Sequence, residues 1–226
     1  MSDRESWEAR YAGNERVWSD EPNPSLRTEI SALPPGSALD LGCGEGADAV
    51  WLAVRGWHVT AVDFARPALA RGRAAADAHG VAERITWIEA DLLSWQPPPA
   101  TYDLINVQYL HLRDDDREVA LLRRAAEAVA PDGRLLIAGH EQFPAHAENA
   151  PAGVVLRTAA EILEALDLPE REWAVEVAER RTRPGHHPHS EAEHGPAAEH
   201  DGAADGGPHT HSQPDHVVLA RRLRQR

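Results

Sequence analysis

The residues of this sequence best suited to bind a ligand are a glycine-rich turn and three aspartates. The stretch ALDLGCGEGADA, residues 38–49, contains three glycines in alternate positions, and Asp40 lies just before the first of them. Glycine is required where a backbone passes close to a ligand or adopts a positive φ. Asp63 and Asp91 each follow a later apolar stretch. Their carboxylates accept hydrogen bonds, which suits a ligand with hydroxyl, amino or cationic groups.

Three alternatives remain open for the turn by itself. Gly42-x-Gly44-x-x-Ala47 fits a relaxed dinucleotide fingerprint, with Asp63 about 20 residues further on, which would indicate a nicotinamide oxidoreductase. The turn could also serve packing alone. A third alternative is a ligand with an adenosine, a ribose and an amino-acid tail, because Asp40 suits a cation or amine better than a pyrophosphate and Asp91 can accept from an exocyclic amine.

The chain contains no lysine, and all 23 of its basic residues are arginine. This excludes Schiff-base chemistry, the phosphate-binding lysine of a P-loop and a Tyr-Lys hydride-transfer pair. The absence of lysine therefore favours the third alternative for the glycine-rich turn.

Strands that alternate with helices must position these residues. Strands are predicted at 37–42, 58–63, 85–91, 102–108 and 134–140, and helices at 47–56, 67–80, 114–130 and 158–166. An aspartate caps the third of these helices, and Thr158 with Glu161 predicts a capping box for the fourth. Two alternating strands at 173–181 and 215–223 follow with no helix between them. The pattern predicts an α/β fold with a parallel sheet covered on both faces.

The motif Asp40-Leu41-Gly42-Cys43-Gly44-Glu45-Gly46, with the acidic ends of the second and third strands, resembles class I S-adenosylmethionine-dependent methyltransferases. The resemblance implies a Rossmann-like sheet of seven strands in the order 3-2-1-4-5-7-6, with the last strand antiparallel. It implies S-adenosylmethionine as cofactor. By the same resemblance the cofactor-binding residues are Asp40, Gly42, Cys43, Gly44, Gly46, Asp63, Phe64, Asp91, Leu92, Gln108 and Trp18.

The amino-terminal stretch WEARYAGNERVWSDEPNPSL, residues 7–26, is similar to the leader of small-molecule methyltransferases of the tellurite-resistance and thiopurine type. That resemblance implies that Trp7, Tyr11 and Trp18 form part of a cap over cofactor and substrate. The alternative is that these aromatic residues only anchor the leader to the core. We expect one domain, with a leader at 1–34, a core at 35–183, a histidine-rich flexible insertion at 184–214, and a final strand and tail at 215–226.

Candidate catalytic residues follow the fourth and fifth strands. Tyr109 and His111 come after the fourth, and His140 and Glu141 after the fifth, where an open α/β sheet presents its chemistry. In-line methyl transfer needs alignment and exclusion of water, and an O–H or N–H acceptor also needs a base. His140 is the first candidate for that base. His111, between leucines, is better explained as a structural histidine.

Eight of the 13 histidines fall between His186 and His216, among glycine, proline, alanine and acidic residues. Such a composition cannot bury an apolar face, and its spacing matches no defined metal motif. A solvated insertion, loose divalent metal binding and an ordered site all remain open. The predicted topology places the insertion at the active-site edge of the sheet, so it could fold over the substrate.

Composition limits the partners. A net charge of −14 disfavours nucleic acid and anionic membranes, and no apolar run approaches the roughly 20 residues of a membrane span. One cysteine and no apparent signal peptide predict a cytoplasmic protein. We expect an enzyme that methylates a small molecule. The principal alternative is a non-catalytic, metal-responsive protein that binds S-adenosylmethionine.

Overall fold

The structure, a computed structural model, describes residues 3–13, 16–142, 154–183 and 213–224. The helices are α1 (Asp3–Tyr11), α2 (Pro24–Ile30), α3 (Ala47–Val54), α4 (Arg66–Ala78), α5 (Asp115–Ala128) and α6 (Ala159–Leu166). The strands are β1 (Ser37–Leu41), β2 (His58–Asp63), β3 (Ile85–Glu89), β4 (Tyr102–Gln108), β5 (Val129–His140), β6 (Trp173–Arg183) and β7 (Gln213–Arg222).

The seven strands form one sheet in the order β3-β2-β1-β4-β5-β7-β6. Strands β1 to β5 pair in parallel, whereas β7 runs antiparallel between β5 and β6. The predicted Rossmann-like order and the antiparallel last strand are confirmed. Because β1 to β5 are parallel, their carboxyl ends share one edge, and the amino-terminal end of β7 meets them there.

Each face of the sheet carries a hydrophobic core. On β1, Leu39 packs with residues of α5 and α6, whereas Ala38 packs with residues of α2 and α3 on the other face. This division follows from the alternation of side chains along a strand. Leu26 and Ile30 of α2 are almost completely buried, and burial of such a side chain contributes about 1.5–3 kcal/mol. The leader is therefore packed into the core at its second helix.

Most predicted elements agree with the structure, including Asp114 as the cap of α5 and the Thr158–Glu161 capping box. Several boundaries differ. Strand β3 ends at Glu89, so Asp91 lies in the following turn, and β5 begins at Val129, with a register shift opposite Tyr102 and Leu104. The leader also holds two helices that the sequence pattern did not predict. In the part of the chain that is described, no helix has the length and apolar character to cross a membrane.

Candidate active site

The glycine-rich turn joins β1 to α3 and requires glycine at three positions. Gly42, Gly44 and Gly46 all have positive φ, at 70°, 51° and 77°. A Cβ on Gly46 would lie 2.4 Å from the Trp87 ring. The amides of Gly42 and Cys43 donate to the Val62 carbonyl at 2.9 and 3.1 Å. The turn is thus pressed against the end of β2.

Asp63, the last residue of β2, stabilises this turn through hydrogen bonds to backbone amides. One carboxylate oxygen accepts from the Gly44 amide at 2.9 Å and the other from the Ala65 amide at 2.8 Å. Burial raises the pKa of Asp63, and these backbone hydrogen bonds partly oppose that rise. A carboxylate has about four acceptor positions, so Asp63 keeps capacity for a ligand.

Asp40 belongs to a buried polar network that the sequence analysis did not identify. Asn106 of β4 donates through its side-chain amide to Asp40 at 2.9 Å and to Asp48 of α3 at 3.0 Å. Asp48 also accepts from the Asn23 backbone amide at 2.7 Å and from the Asn23 side chain at 2.9 Å. A polar residue within an apolar strand, Asn106, and an acidic residue in the first turn of a helix, Asp48, were the available signals. Their mutual contact depends on the pairing of β1 with β4.

Gln108 extends this network to the leader. Its amide nitrogen donates to the Asn106 carbonyl oxygen at 2.8 Å, and its own carbonyl oxygen accepts from the Ser25 hydroxyl at 2.7 Å. Ser25 and Gln108 are both buried. The start of α2 is therefore bonded directly to the end of β4, next to the glycine turn.

The charge of this network is unbalanced. Burial, together with the neighbouring charge of Asp48, raises the pKa of Asp40 well above its ordinary value, and burial also raises that of Asp48. Oδ2 of Asp40 is buried and has no hydrogen-bond partner among the described residues. Within those residues Asp40, Asp48 and Asp63 form no ion pair. Buried carboxylates and an orphan acceptor beside a glycine turn fit a ligand with a cationic or ammonium group.

Glu45, inside the turn, holds the leader in place. Its buried carboxylate accepts from the Val17 and Trp18 amides at 3.0 Å and forms an ion pair with Arg71 of α4 at 2.6 Å. Arg71 also donates to the Tyr11 carbonyl at 2.9 Å. The residue between the second and third glycines thus connects the ligand-binding turn to the amino-terminal segment.

The aromatic residues of the leader cover the turn. Trp18 donates from its indole nitrogen to the Tyr11 hydroxyl at 2.8 Å, and a Cβ on Gly44 would lie 3.1 Å from that hydroxyl. Trp7 stacks on Tyr11 with ring centroids 5.9 Å apart, and Phe64 packs against the same group. Tyr11 is buried, whereas 47% of Trp18 is exposed. The aromatic residues lie where a cap over the turn is expected.

Asp91 and Leu92 are neighbours in sequence but differ in their exposure to solvent. Asp91 is exposed, and one of its carboxylate oxygens accepts from the Leu93 amide at 2.9 Å. Leu92 is buried, and its side chain reaches within 4.0 Å of where a Cβ on Gly42 would lie. The pair therefore offers one polar and one apolar surface beside the turn.

A second polar cluster lies at the ends of β4 and β5. The Tyr109 hydroxyl donates to Oδ2 of Asp215 at 2.7 Å, and Nδ1 of His140 lies 3.1 Å from Oδ1 of the same carboxylate. The rings of Tyr109 and His140 are 4.8 Å apart. Tyr109 has a φ of 53°, which turns the chain sharply after β4. The structure thus joins two predicted residues to Asp215, which the sequence analysis did not single out.

Two further histidines complete this cluster. Nε2 of His111 accepts from the His140 backbone amide at 3.3 Å, and Nδ1 of His216 lies 2.8 Å from the Arg157 carbonyl. Burial, and after it the neighbouring histidines, lower the pKa of His111 to about 3, and burial also lowers the pKa of His216. Both imidazoles are therefore neutral in ordinary buffers.

Two other predicted residues have different surroundings. Glu141 forms an ion pair with Arg180 of β6 at 3.1 Å. Cys43 is a free, partly buried thiol whose pKa is raised well above its ordinary value, first by burial and then by the charge of Asp40. A thiol in such surroundings is a poor nucleophile.

Most of the histidine-rich insertion lies outside the described residues. The hypotheses that it binds a metal or folds over the substrate therefore concern residues that are not described. Its points of attachment are described: Arg183 at the end of β6 pairs in register with Gln213 at the start of β7. Across the four described ranges, no group of three or more histidine, cysteine or acidic side chains has a geometry that could hold a metal ion.

Comparison with known proteins agrees with this geometry. Residues 38–133 match the family model described as a methyltransferase domain. A release factor glutamine methyltransferase of Chlorobaculum tepidum is 53% identical over 60 residues, which is 26% of this chain and 20% of that protein. The chain spans between about a fifth and three fifths of the first curated relatives it matches.

Solved structures share the whole fold. The N-methyltransferase NodS of Bradyrhizobium japonicum, in complex with S-adenosyl-L-homocysteine, aligns with a TM-score of 0.66 at 18% identity, over 98% of this chain and 99% of that chain. A 1,6-didemethyltoxoflavin-N1-methyltransferase of Burkholderia thailandensis aligns with a TM-score of 0.64 at 20% identity, over 98% and 87%. The predicted resemblance to class I methyltransferases is confirmed, and the nicotinamide alternative finds no support.

Proposed function

We propose that this protein, whose residues 38–133 match a methyltransferase domain, is an S-adenosylmethionine-dependent methyltransferase that acts on a small molecule. One observation carries the proposal beyond the domain match: the buried Oδ2 of Asp40, which has no hydrogen-bond partner among the described residues, lies beside two other buried carboxylates. A cationic, amine-bearing ligand satisfies this site, whereas a pyrophosphate would be repelled by it.

We assign each of the cofactor-binding residues named by the sequence resemblance to one part of the ligand. Asp40 and Gln108 would hold the methionyl part, Asp63 the ribose hydroxyls, and Asp91, Leu92 and Phe64 the adenine. The backbone of the turn at Gly42, Cys43, Gly44 and Gly46 would follow the cofactor, with Trp18 as part of its cover. When bound, S-adenosylmethionine supplies a methyl group on a positively charged sulfur.

The chain itself contributes orientation and exclusion of water. Glu45 holds the backbone of Val17 and Trp18 beside the turn, so the leader covers the site instead of leaving it open to solvent. Ser25 and Asn23 fix the other end of the leader to Gln108 and Asp48. A cofactor and acceptor enclosed in this way can be aligned for in-line displacement.

His140 is the residue we assign to proton removal from the acceptor. Its imidazole is partly exposed at the carboxyl end of β5, where acceptor and cofactor would meet. Tyr109 packs against its ring, and His111 accepts from its backbone amide, so both would position it. Glu141 would assist through charge, although its ion pair with Arg180 ties it to the neighbouring strand.

A small acceptor is supported by the net charge of −14, which disfavours nucleic acid as the substrate. The toxoflavin-precursor methyltransferase with a similar fold acts on a small heterocycle, as its name states. We propose a cytoplasmic location on the basis of the single cysteine. Loose divalent metal binding by the insertion stays a separate proposal.

Calorimetric titration with S-adenosylhomocysteine and with reduced nicotinamide dinucleotide tests the cofactor. We expect the first to bind and the second not to bind; the reverse would overturn the proposal. Turnover of methyl-labelled cofactor against a panel of thiols, phenols, amines and oxyanions then tests catalysis. A protein that binds the cofactor and methylates no acceptor would instead be a non-catalytic binding protein.

A further inference from the structure

We propose that Asp215, at the start of β7, is a positioning residue that makes His140 the proton acceptor and so selects acceptors with a neutral O–H or N–H group. The proposal rests on the proposed methyltransferase activity. Asp215 is only 4% exposed, and its two oxygens accept from two different side chains, those of Tyr109 and His140.

The hydrogen bonds determine which nitrogen of His140 carries the proton. An ionised carboxylate only accepts, so Nδ1 of His140 must donate to Asp215. In the neutral imidazole Nε2 is then the basic nitrogen. The Tyr109 hydroxyl donates to the other oxygen of Asp215 and holds the carboxylate plane in place. Asp215 thereby sets the tautomer of His140 and supplies a negative charge that stabilises the imidazolium.

The two neighbouring histidines are occupied in a different way. Nε2 of His111 is the acceptor for a backbone amide, and Nδ1 of His216 donates to a carbonyl. A Cβ on Gly139 would lie 2.9 Å from Cε1 of His111 and 2.8 Å from Cε1 of His216, so glycine is what lets both rings lie against the end of β5. Burial lowers the pKa of both, and His140 is the histidine of this group that is paired with a carboxylate.

The charged and titratable groups around His140 come from five segments. Tyr109 and His111 follow β4, Asp215 and His216 belong to β7, Arg157 precedes α6, and Glu141 pairs with Arg180 of β6. Arg157 is engaged by Asp115 and Glu118 of α5. Asp215 is therefore the carboxylate that contacts the His140 ring directly.

This arrangement indicates the class of acceptor. As the acceptor oxygen or nitrogen forms its bond to the methyl carbon, the carbon–sulfur bond breaks and its electron pair stays on sulfur. The acceptor's proton passes to Nε2 of His140, and the imidazolium later releases it to water. A thiolate or halide has no proton to lose and would gain nothing from the Asp215–His140 pair. The pair is explained by a hydroxyl, phenol or ring N–H acceptor.

The test uses the full-length protein with Asp215→Asn, which keeps the shape of the side chain, and Asp167→Asn as the matched control. Asp167 is exposed and has a φ of 51°, which asparagine tolerates. We expect Asp215→Asn to lower kcat with phenol and N–H acceptors by about 10²-fold. Turnover of a thiol assayed above its own pKa should change less than about threefold. The affinity for S-adenosylhomocysteine should not change.

Two further measurements separate positioning from mere structural support. In Asp215→Asn the rate should fall on acidification at a lower pH than in the wild type, because the imidazolium loses its counter-charge. Nitrogen-15 spectra, assigned by comparison with His140→Gln, should show Nδ1–H in the wild type and a mixture of tautomers in Asp215→Asn. Tyr109→Phe should cause a smaller loss, of about fivefold, in the same direction.

The outcomes distinguish this inference from the activity on which it rests. Equal losses with thiol and phenol acceptors, an unchanged pH profile, turnover of thiols alone, or an Nε2–H tautomer in the wild type would each overturn the role of Asp215. Failure of the wild type to bind S-adenosylhomocysteine would overturn the proposed function, and the nitrogen-15 spectra would still decide the tautomer.

Discussion

The two halves of the candidate site differ in how they are assembled. In the carboxylate half, around the glycine turn, Asp63 accepts from two backbone amides, those of Ala65 and Gly44, which are two and 19 residues away, whereas Asp40 and Asp48 are joined by the Asn106 side chain of β4. The histidine half joins residues 75 and 106 positions apart, His140 and Tyr109 with Asp215. The first half combines a local turn with the pairing of β1 and β4, whereas the second depends on the insertion of β7 between β5 and β6.

The halves also differ in what burial does to their charges. Burial raises the pKa of Asp40, Asp48 and Asp63 and lowers that of His111 and His216, so each half is less stable in its charged form. A positively charged ligand would offset the charge of the buried carboxylates in the first half. A neutral acceptor would not require the buried histidines of the second half to ionise. We therefore expect the two halves of the site to accept ligands of different charge.

The largest expected effect is a loss of stability on substitution of a glycine in the turn of the carboxylate half. In Gly46→Ala the new Cβ meets the Trp87 ring at 2.4 Å and the residue must keep a φ of 77°, so we expect a loss of about 3 kcal/mol of stability. Gly80→Ala, with a φ of 67° and nothing within 4 Å of the Cβ, should lose only about 1 kcal/mol. Chemical denaturation measures both. Equal losses would mean that φ alone, and not the ring contact, requires glycine at the turn.

In the histidine half, we expect His111 to make the stability of the protein depend on pH. The pKa of His111 falls from 6.5 to about 3 on folding, so the folded state does not readily bind a proton there. The protein therefore has its full free energy of unfolding above about pH 6.5 and loses part of it as the pH falls toward 3. Between pH 7 and 5, His111→Gln should therefore lose about 2 kcal/mol less stability than the wild type. Urea denaturation at the two pH values measures this difference. Parallel pH curves would contradict the buried, neutral state of His111.

Asp40→Asn should separate stability from binding in the carboxylate half. The variant removes a buried charge, so at pH 8 the melting temperature without ligand should rise by about 2–4 °C. Because the raised pKa of Asp40 means that folding disfavours its ionised form, the gain should shrink as the pH falls. Affinity for S-adenosylmethionine should fall about tenfold.

The matched control for that variant is Asp77→Asn, at an exposed position on α4. It should change neither the melting temperature nor the affinity. A loss of both stability and binding in Asp40→Asn would show that the Asp40 carboxylate is needed for the fold and not for a cationic ligand.

The smallest expected effect is that of a substitution at Glu45, which tests how the leader is held on the turn. Glu45→Gln weakens the ion pair with Arg71 but keeps an acceptor for the Val17 and Trp18 amides, so cofactor affinity should fall about threefold. Limited proteolysis should cleave the leader faster. Glu21→Gln, an exposed partner of Arg27, is the control and should behave as the wild type. An unchanged rate of cleavage would mean that Glu45 does not hold the leader.

The part of the fold predicted from sequence is the part with regular patterns. Strands of alternating or continuous apolar residues, the Thr158–Glu161 capping box and the glycine turn all have local signals, and the structure agrees with them. Helix α1 has little apolar periodicity and was not predicted, since its position depends on the contacts of Tyr11 with α4. Asp48 and Asn106 were missed because neither belongs to a motif by itself.

The amino-acid sequence by itself determined the order of strands and helices, the glycine turn and the acidic residues beside it, because each depends on φ preferences and burial patterns within a few residues. Only the tertiary structure decided that Asp215 contacts His140 and that Glu45 holds the leader. Those contacts arise from the register of β7 against β5 and from the docking of residues 16–30 on the turn. Strand register and docking depend on distant packing, which no local pattern records.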